Sequence, residues 1–224
     1  MIFQDKHLEK ALNDLETAYE GLPGEDYEYE DLTISLQIVE RALAEALRTK
    51  PDLLILVDPT DIESEDDRIK AHLGRLLFVR AILLYDLRHY EFAARSARLA
   101  CQAFRDTLAF EFDDEDRYVA NHLHKLMMSD VASVAFRDDE IADSYEKLFD
   151  YYVQLQLLDR AEDMLFHALD LAGDPIPLLE KGIAFYDHLR DQPRRFLQKR
   201  GLPLREVNES RRELEERFQA ARMR

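Results

Sequence analysis

The histidines and carboxylates are the side chains of this sequence that could hold a metal ion, and their spacing does not favour one. Helical zinc and di-iron sites use His-Glu-x-x-His or Glu-x-x-His, and none of the seven histidines lies in either pattern. His122 and His124 are two positions apart, so a helix would point them to different faces. Asp86 and His89 have a suitable spacing, but a histidine at a helix carboxyl end is already explained by the helix dipole. We predict no metal site.

The sequence also lacks the residue patterns that nucleophilic catalysis and phosphate binding usually need. The single cysteine, Cys101, lies in a helical, apolar context and is predicted to be a small core residue. Having one cysteine excludes an intramolecular disulfide and favours a reducing compartment. The closest glycines are Gly21 and Gly24, too few for a phosphate-cradling loop, and the acidic stretch 58–67 lacks the central glycine of a calcium loop. The sequence therefore predicts no catalytic activity and no cofactor.

Charge is distributed unevenly along the chain. The net charge is −17, yet residues 194–224 carry ten Lys and Arg against five Glu, a local balance of +5. The other 193 residues carry 20 basic and 42 acidic side chains, a balance of −22, which repels nucleic acid and anionic lipid. The basic side chains that could contact an acidic partner, a phosphate backbone or the acidic body itself are Arg194, Arg195, Lys199, Arg200, Arg205, Arg211, Arg212 and Arg217.

Besides contact with an acidic partner, two interpretations of this basic segment stay open. In the first, a terminal helix docks on the chain's own acidic body through Leu204, Val207, Leu214 and Phe218. In the second, the segment associates with nucleic acid, although its glutamates make the charge mixed. We predict an acidic helical body at 1–193, including an acidic linker at 52–67, and a basic helical segment at 194–224.

Apolar residues recur at helical spacing along nearly the whole chain, and six glycines and seven prolines leave room for short turns only. No apolar run approaches the roughly 20 residues of a membrane-spanning helix. The helices predicted from period and breakers cover residues 5–20, 31–49, 68–87, 90–104, a start near 113 running to about 136, 138–157, 160–172, 177–189 and 205–221.

Two predicted hairpins share a pattern of large and small residues. Their matching positions are 68 residues apart, twice the 34-residue period of a helix-turn-helix repeat. The second helix of each pair carries alanine where two backbones must approach closely. The matching positions are Leu77, Ala81, Leu84, Tyr90, Ala93, Ala97 and Ala100 in the first hairpin, and Tyr145, Phe149, Tyr152, Leu158, Ala161, Leu165 and Ala168 in the second.

This pattern resembles the tetratricopeptide repeat over residues 70–104 and 141–175. Ala81 and Phe149 stand where the family usually has glycine, and the period fails over 111–138, which is either a divergent hairpin or a longer single helix. Any antiparallel helix pair is the competing interpretation of the alanines. The runs Lys181–Tyr186 and Arg200–Pro203 are also similar to uncharacterised bacterial proteins of this type.

The resemblance implies an all-α protein of tetratricopeptide-like antiparallel hairpins stacked as a short solenoid or bundle. It also implies a protein-protein interaction or scaffold module in the bacterial cytoplasm, with a protein or peptide partner and no membrane. A nucleic-acid-associated protein using residues 194–224 is the alternative.

The acidic composition predicts a salt-dependent stability. With 22 Arg, only 8 Lys and 47 acidic residues, the composition suits either a salt-adapted organism or an Arg-rich, high-GC genome. If salt adaptation is the cause, Tm measured by circular dichroism rises steeply between about 0.1 and about 1 M KCl, because salt screens the self-repulsion. A flat Tm over this range would contradict the salt-adaptation hypothesis.

Overall fold

The residues that the structure describes form an all-α fold, as the sequence predicts. The computed structural model of the 224-residue chain describes residues 29–46, 67–108 and 116–223. Within these ranges it contains helices joined by short turns, and no strand. The helices are α1 Tyr29–Ala46, α2 Asp67–Asp86, α3 Tyr90–Thr107, α4 Asp116–Met128, α5 Asp130–Ala135, α6 Asp138–Gln154, α7 Leu158–Ala172, α8 Ile176–Arg190, α9 Arg194–Lys199 and α10 Leu204–Arg222.

The predicted helix ending near residue 136 is wrong, because the chain breaks at Ser129. That residue has extended backbone angles, φ −82° and ψ 155°, and its hydroxyl donates to the Leu126 carbonyl at 2.7 Å. The region that departs from the 34-residue period is thus two helices, α4 and α5. The predicted helix 5–20 and nearly all of the acidic linker 52–67 lie outside the described residues.

The chain divides into two compact units, residues 1–136 and 137–224. In the first unit α2 is the central helix, packing on α1 and on α3, and α3 also packs on α4 and α5. Arg80 of α2 is buried. Its guanidinium donates to the Glu40 carboxylate at 3.0 and 3.1 Å and to the Ser96 hydroxyl at 2.7 Å. The Arg80 guanidinium thus links α1, α2 and α3, and the Glu40 carboxylate compensates its buried charge.

The second unit contains two antiparallel helix pairs, α6 with α7 and α8 with α10. Gly182 of α8 lies where a side chain would not fit, since an added Cβ would be 2.6 Å from Leu214 Cδ1 and 2.9 Å from Leu165 Cδ2. The Phe185 ring meets Phe149 of α6 at 5.3 Å between centroids. Helix α8 is therefore packed against α6, α7 and α10 together. The change of charge balance at residue 193/194 lies inside this unit.

The two hairpins have the same turn conformation. Arg88 and Gln156, 68 residues apart, both have left-handed backbones, with φ of 63° and 56°. The N–H of the next residue bonds back to the preceding helix in both turns: His89 donates to the Leu84 carbonyl at 2.8 Å, and Leu157 donates to the Tyr152 carbonyl at 2.9 Å. This six-to-one bond across a left-handed residue is a common helix ending. The repeat predicted from side chains is therefore matched in the backbone.

Close packing at alanine explains how each hairpin closes. The alanines of α3 and α7 that the pattern singled out are completely buried, and the bulky residues of α2 and α6 fill the space beside them. The buried alanines are Ala93, Ala97, Ala100, Ala161 and Ala168, and their large counterparts are Leu77, Leu84, Tyr145 and Tyr152.

Replacing Gln156 with glycine should stabilise the protein by about 0.5–1 kcal/mol, because glycine adopts the left-handed conformation without a Cβ penalty. Urea unfolding measures the change. The matched control is Gln102→Gly, at an exposed position inside α3, which should cost about 1 kcal/mol. Equal destabilisation by both variants would contradict the left-handed turn.

Candidate functional site

The basic residues of the carboxyl-terminal segment fall into two sets. Four of the five arginines on α10 have a glutamate four positions away on the same helix. Arg205 contacts Glu209 at 2.8 Å, and Arg212 reaches the glutamate one turn further on at 3.9 Å. Most of the positive charge of α10 is thus compensated on the same helix.

Two arginines of α10 also bind across to other helices. Arg211 pairs with Asp187 of α8, and its hydrogen bond holds the pKa of that carboxyl below its usual value. Arg217 donates to Asp174 and to Asp170 of α7, both at 2.7 Å. Val207 and Leu214 supply the buried apolar side of α10. These contacts hold α10 on the rest of the second unit.

The basic residues of α9 form a different set, which we call the α9 cluster: Arg194, Arg195 and Lys199. All three side chains are exposed. None of them pairs with a carboxylate in the part of the chain that the structure describes. Arg200, which follows the helix, is instead fixed by a 2.9 Å bond to the Gln156 carbonyl and lies 4.6 Å from the Phe196 ring.

A buried polar group joins α7, α8 and α10. The Tyr186 hydroxyl donates to Glu162 Oε1 at 2.6 Å, with both side chains buried. Ser210 of α10 hydrogen-bonds to both of them. Burial is the main cause that raises the pKa of Glu162, and nearby Glu206 raises it further, while the bonds from Tyr186 and Ser210 oppose the rise. The pKa of Tyr186 is also raised, by burial and then by the Glu162 charge.

The sides of α6 and α8 that face away from their hairpin partners carry a mixed-charge surface. Lys181 of α8 donates to Glu146 at 2.8 Å and to Asp150 at 2.7 Å on α6. One turn away, Asp143 lies 3.6 Å from Lys147. We call these five side chains the α6–α8 face. Its charges are exposed or half-buried, so each pair contributes little to stability, about 0–1 kcal/mol, and remains available to another molecule.

The other residues considered from the sequence are not brought together. Cys101 is buried, His122 is buried beside the Phe104 ring, and His89 is exposed in the first hairpin turn. Within residues 29–46, 67–108 and 116–223, no three His, Cys, Asp or Glu side chains are grouped as a metal site requires. None of the helices in this part of the chain has the length and apolar character to span a bilayer.

Sequence reasoning missed the buried group and the division of the basic residues. Glu162 and Tyr186 are 24 positions apart on different helices, and no local spacing links them. The i,i+4 Glu partners on α10 and their absence on α9 are, by contrast, visible in the sequence and could have separated the two sets.

A family model matches residues 41–219, which is most of the chain. The chain belongs to this family, a family of unknown function designated DUF6483. No curated protein and no solved structure matches the chain. The match extends across both hairpins and through the residues of the buried group, the α9 cluster and the α6–α8 face of this DUF6483 chain.

The buried carboxyl of Glu162 should make stability fall as pH rises. Because its pKa is raised in the folded state, the contribution is fully present below the ordinary glutamate value of about 4.3. It is lost as pH rises through the higher folded-state pKa. In urea unfolding between about pH 4 and about pH 8, the stability of Glu162→Gln relative to wild type should therefore increase with pH.

The control for this measurement is Glu180→Gln, at an exposed position of α8. Its stability relative to wild type should stay constant over the same pH range. If the two variants give the same pH dependence, Glu162 does not titrate differently in the folded protein.

Proposed function

We propose that this protein is a non-catalytic protein-protein interaction module of the tetratricopeptide-like type. The observation that carries the proposal is the repeated hairpin, with the same left-handed turn at Arg88 and Gln156 and fully buried alanines at matching positions. Stacked helical hairpins leave continuous side-chain surfaces on which partners bind. The fold by itself does not specify a function, so the proposal names the particular surface on which the partner binds.

The α6–α8 face is the surface we propose for the partner. It is formed by the first helix of each pair in the second unit, on the side away from the second helix. Lys181 lies over the Phe149 ring at 5.4 Å, which gives the face an aromatic base under its charges. Charged side chains that are already ordered lose less conformational freedom when a partner replaces their present contacts. A protein or peptide segment with both charge signs would fit.

A non-catalytic role is supported by two buried polar clusters whose members are bonded to each other. Tyr186, Glu162 and Ser210 are hydrogen-bonded within one cluster, and Arg80 donates to Glu40 and Ser96 in the other. We also propose a cytoplasmic location in a bacterium, because a single buried cysteine suits a reducing compartment.

The nucleic-acid alternative is favoured by one observation, the α9 cluster, whose cations lack carboxylate partners among the described residues. Against it, Arg205, Arg211, Arg212 and Arg217 are compensated by carboxylates. A test by deleting residues 194–224 would be misleading, because the deletion removes α10 and uncovers Gly182, Leu165 and the Glu162 group. Point variants in the full chain are the better test.

The tagged full-length protein should recover a stoichiometric protein partner from nuclease-treated lysate of its own organism. With an amine-reactive cross-linker and mass spectrometry, partner cross-links should map to Lys147 and Lys181 rather than to Lys70 and Lys125 of the first unit. Asp143→Arg should weaken recovery, because it places a like charge beside Lys147.

The matched charge reversal is Glu216→Arg, on the exposed side of α10, and it should leave recovery unchanged. Recovery of nucleic acid in place of a protein would favour the alternative. If neither substitution changes recovery of the partner, the α6–α8 face is not the binding surface.

A further inference from the structure

We propose that the α9 cluster, Arg194, Arg195 and Lys199, is a docking site for an acidic peptide segment of the partner. This inference rests on the proposed interaction function and adds the chemistry of one part of the partner. The two neighbouring helices α9 and α10 differ in whether their basic residues have carboxylate partners.

On α10, arginines are accompanied by glutamates at helical spacing. The pairs are Arg205 with Glu209, Arg211 with Glu215, Arg212 with Glu216, and Glu213 with Arg217. On α9 the arrangement is the reverse, because Arg195 and Lys199 are themselves four positions apart and have the same charge. Like charges at this spacing destabilise a helix, whereas opposite charges stabilise it. These three cations make no ion pair among the described residues, which leaves them available to a ligand.

The cluster is held on a rigid base. Leu197, on the opposite side of α9, is completely buried, as is Leu202 after it. The Leu202 N–H donates to the Leu197 carbonyl at 3.2 Å. Gly201 follows with φ of 75° and lies so close to Asp159 that a Cβ would be 3.1 Å from it. The backbone of the short helix is therefore anchored on α7, with its cations on the exposed side.

Arg200 completes this base rather than the binding surface. Its guanidinium donates to the Gln156 carbonyl, which belongs to the left-handed turn of the second hairpin, and it stacks on Phe196. Of the four basic residues from position 194 to 200, Arg200 is thus bonded inside the fold and the other three are exposed.

A short acidic segment fits better than a nucleic acid. Charges are screened beyond about 8–10 Å at physiological salt, so a few carboxylates on α9 interact mainly with the three local cations. A nucleic acid gains affinity by crossing many phosphates over an extended basic surface. Here an extended polyanion would pass from three cations onto a chain with a net charge of −17, which repels it.

The test uses the full chain and a fluorescein-labelled peptide of alternating Asp and Glu, with its Asn and Gln counterpart and a single-stranded oligonucleotide as comparisons. Fluorescence anisotropy is measured at about 0.05 and about 0.2 M salt. The first variant is Arg194→Gln, Arg195→Gln, Lys199→Gln. The matched control, with the same change in net charge, is Arg205→Gln, Arg212→Gln, Arg222→Gln, at exposed positions of α10. Circular dichroism confirms that both variants fold.

Wild type should bind the acidic peptide and not its amide counterpart. The α9 variant should lose about tenfold in affinity, and the α10 variant should stay within about twofold of wild type. Absence of peptide binding by wild type, or equal losses in both variants, would overturn the proposal. Tighter binding of the oligonucleotide through the same three residues would overturn the choice of an acidic peptide.

Failure of this inference and failure of the proposed function have different signatures. A recovered protein partner whose binding is unaffected by the α9 substitutions overturns the docking site and leaves the interaction module standing. Peptide binding without any protein partner in the lysate supports the site and overturns the module.

Discussion

The close approach of paired helices at alanine is the constraint on which the rest of this structure depends. Ala93, Ala97 and Ala100 on α3, and Ala161 and Ala168 on α7, are completely buried, so each methyl group marks a line along which two backbones meet. The large residues opposite them fill the space that the small ones leave, as close packing requires. In the second unit Gly182 also permits close packing, because its lack of a side chain lets α8 lie against both α7 and α10.

Helix positions were largely predictable because each helix buries one stripe, and the apolar period records that stripe directly. Arg88 and Gln156 follow the same 68-residue spacing, since a repeated spacing of core positions fixes the length of the turn between them. The break at Ser129 escaped prediction because apolar residues continue at helical spacing on both sides of it. A serine followed by aspartate, a frequent helix start, was the available signal.

The polar features of the second unit were less accessible from the sequence. Compensation of Arg217 by Asp170 and Asp174 depends on α10 returning antiparallel to α8, which no local pattern specifies. The bond from Tyr186 to Glu162 has the same origin. Counting charges gave a basic segment of +5, but only the pairing geometry separates the arginines that hold the fold together from the three cations left on α9.

Helix α10 has a particular consequence for the dynamics of the second unit. Of its residues, Val207 and Leu214 are fully buried, and its other attachments are the Ser210 hydrogen bonds to Glu162 and Tyr186 and a set of ion pairs near the surface. Local opening is easiest where few apolar contacts must be broken, so α10 is the element that should detach first while α6, α7 and α8 stay packed. Amide hydrogen exchange would then find this helix the fastest to lose protection, and each opening would briefly admit water to the carboxyl of Glu162.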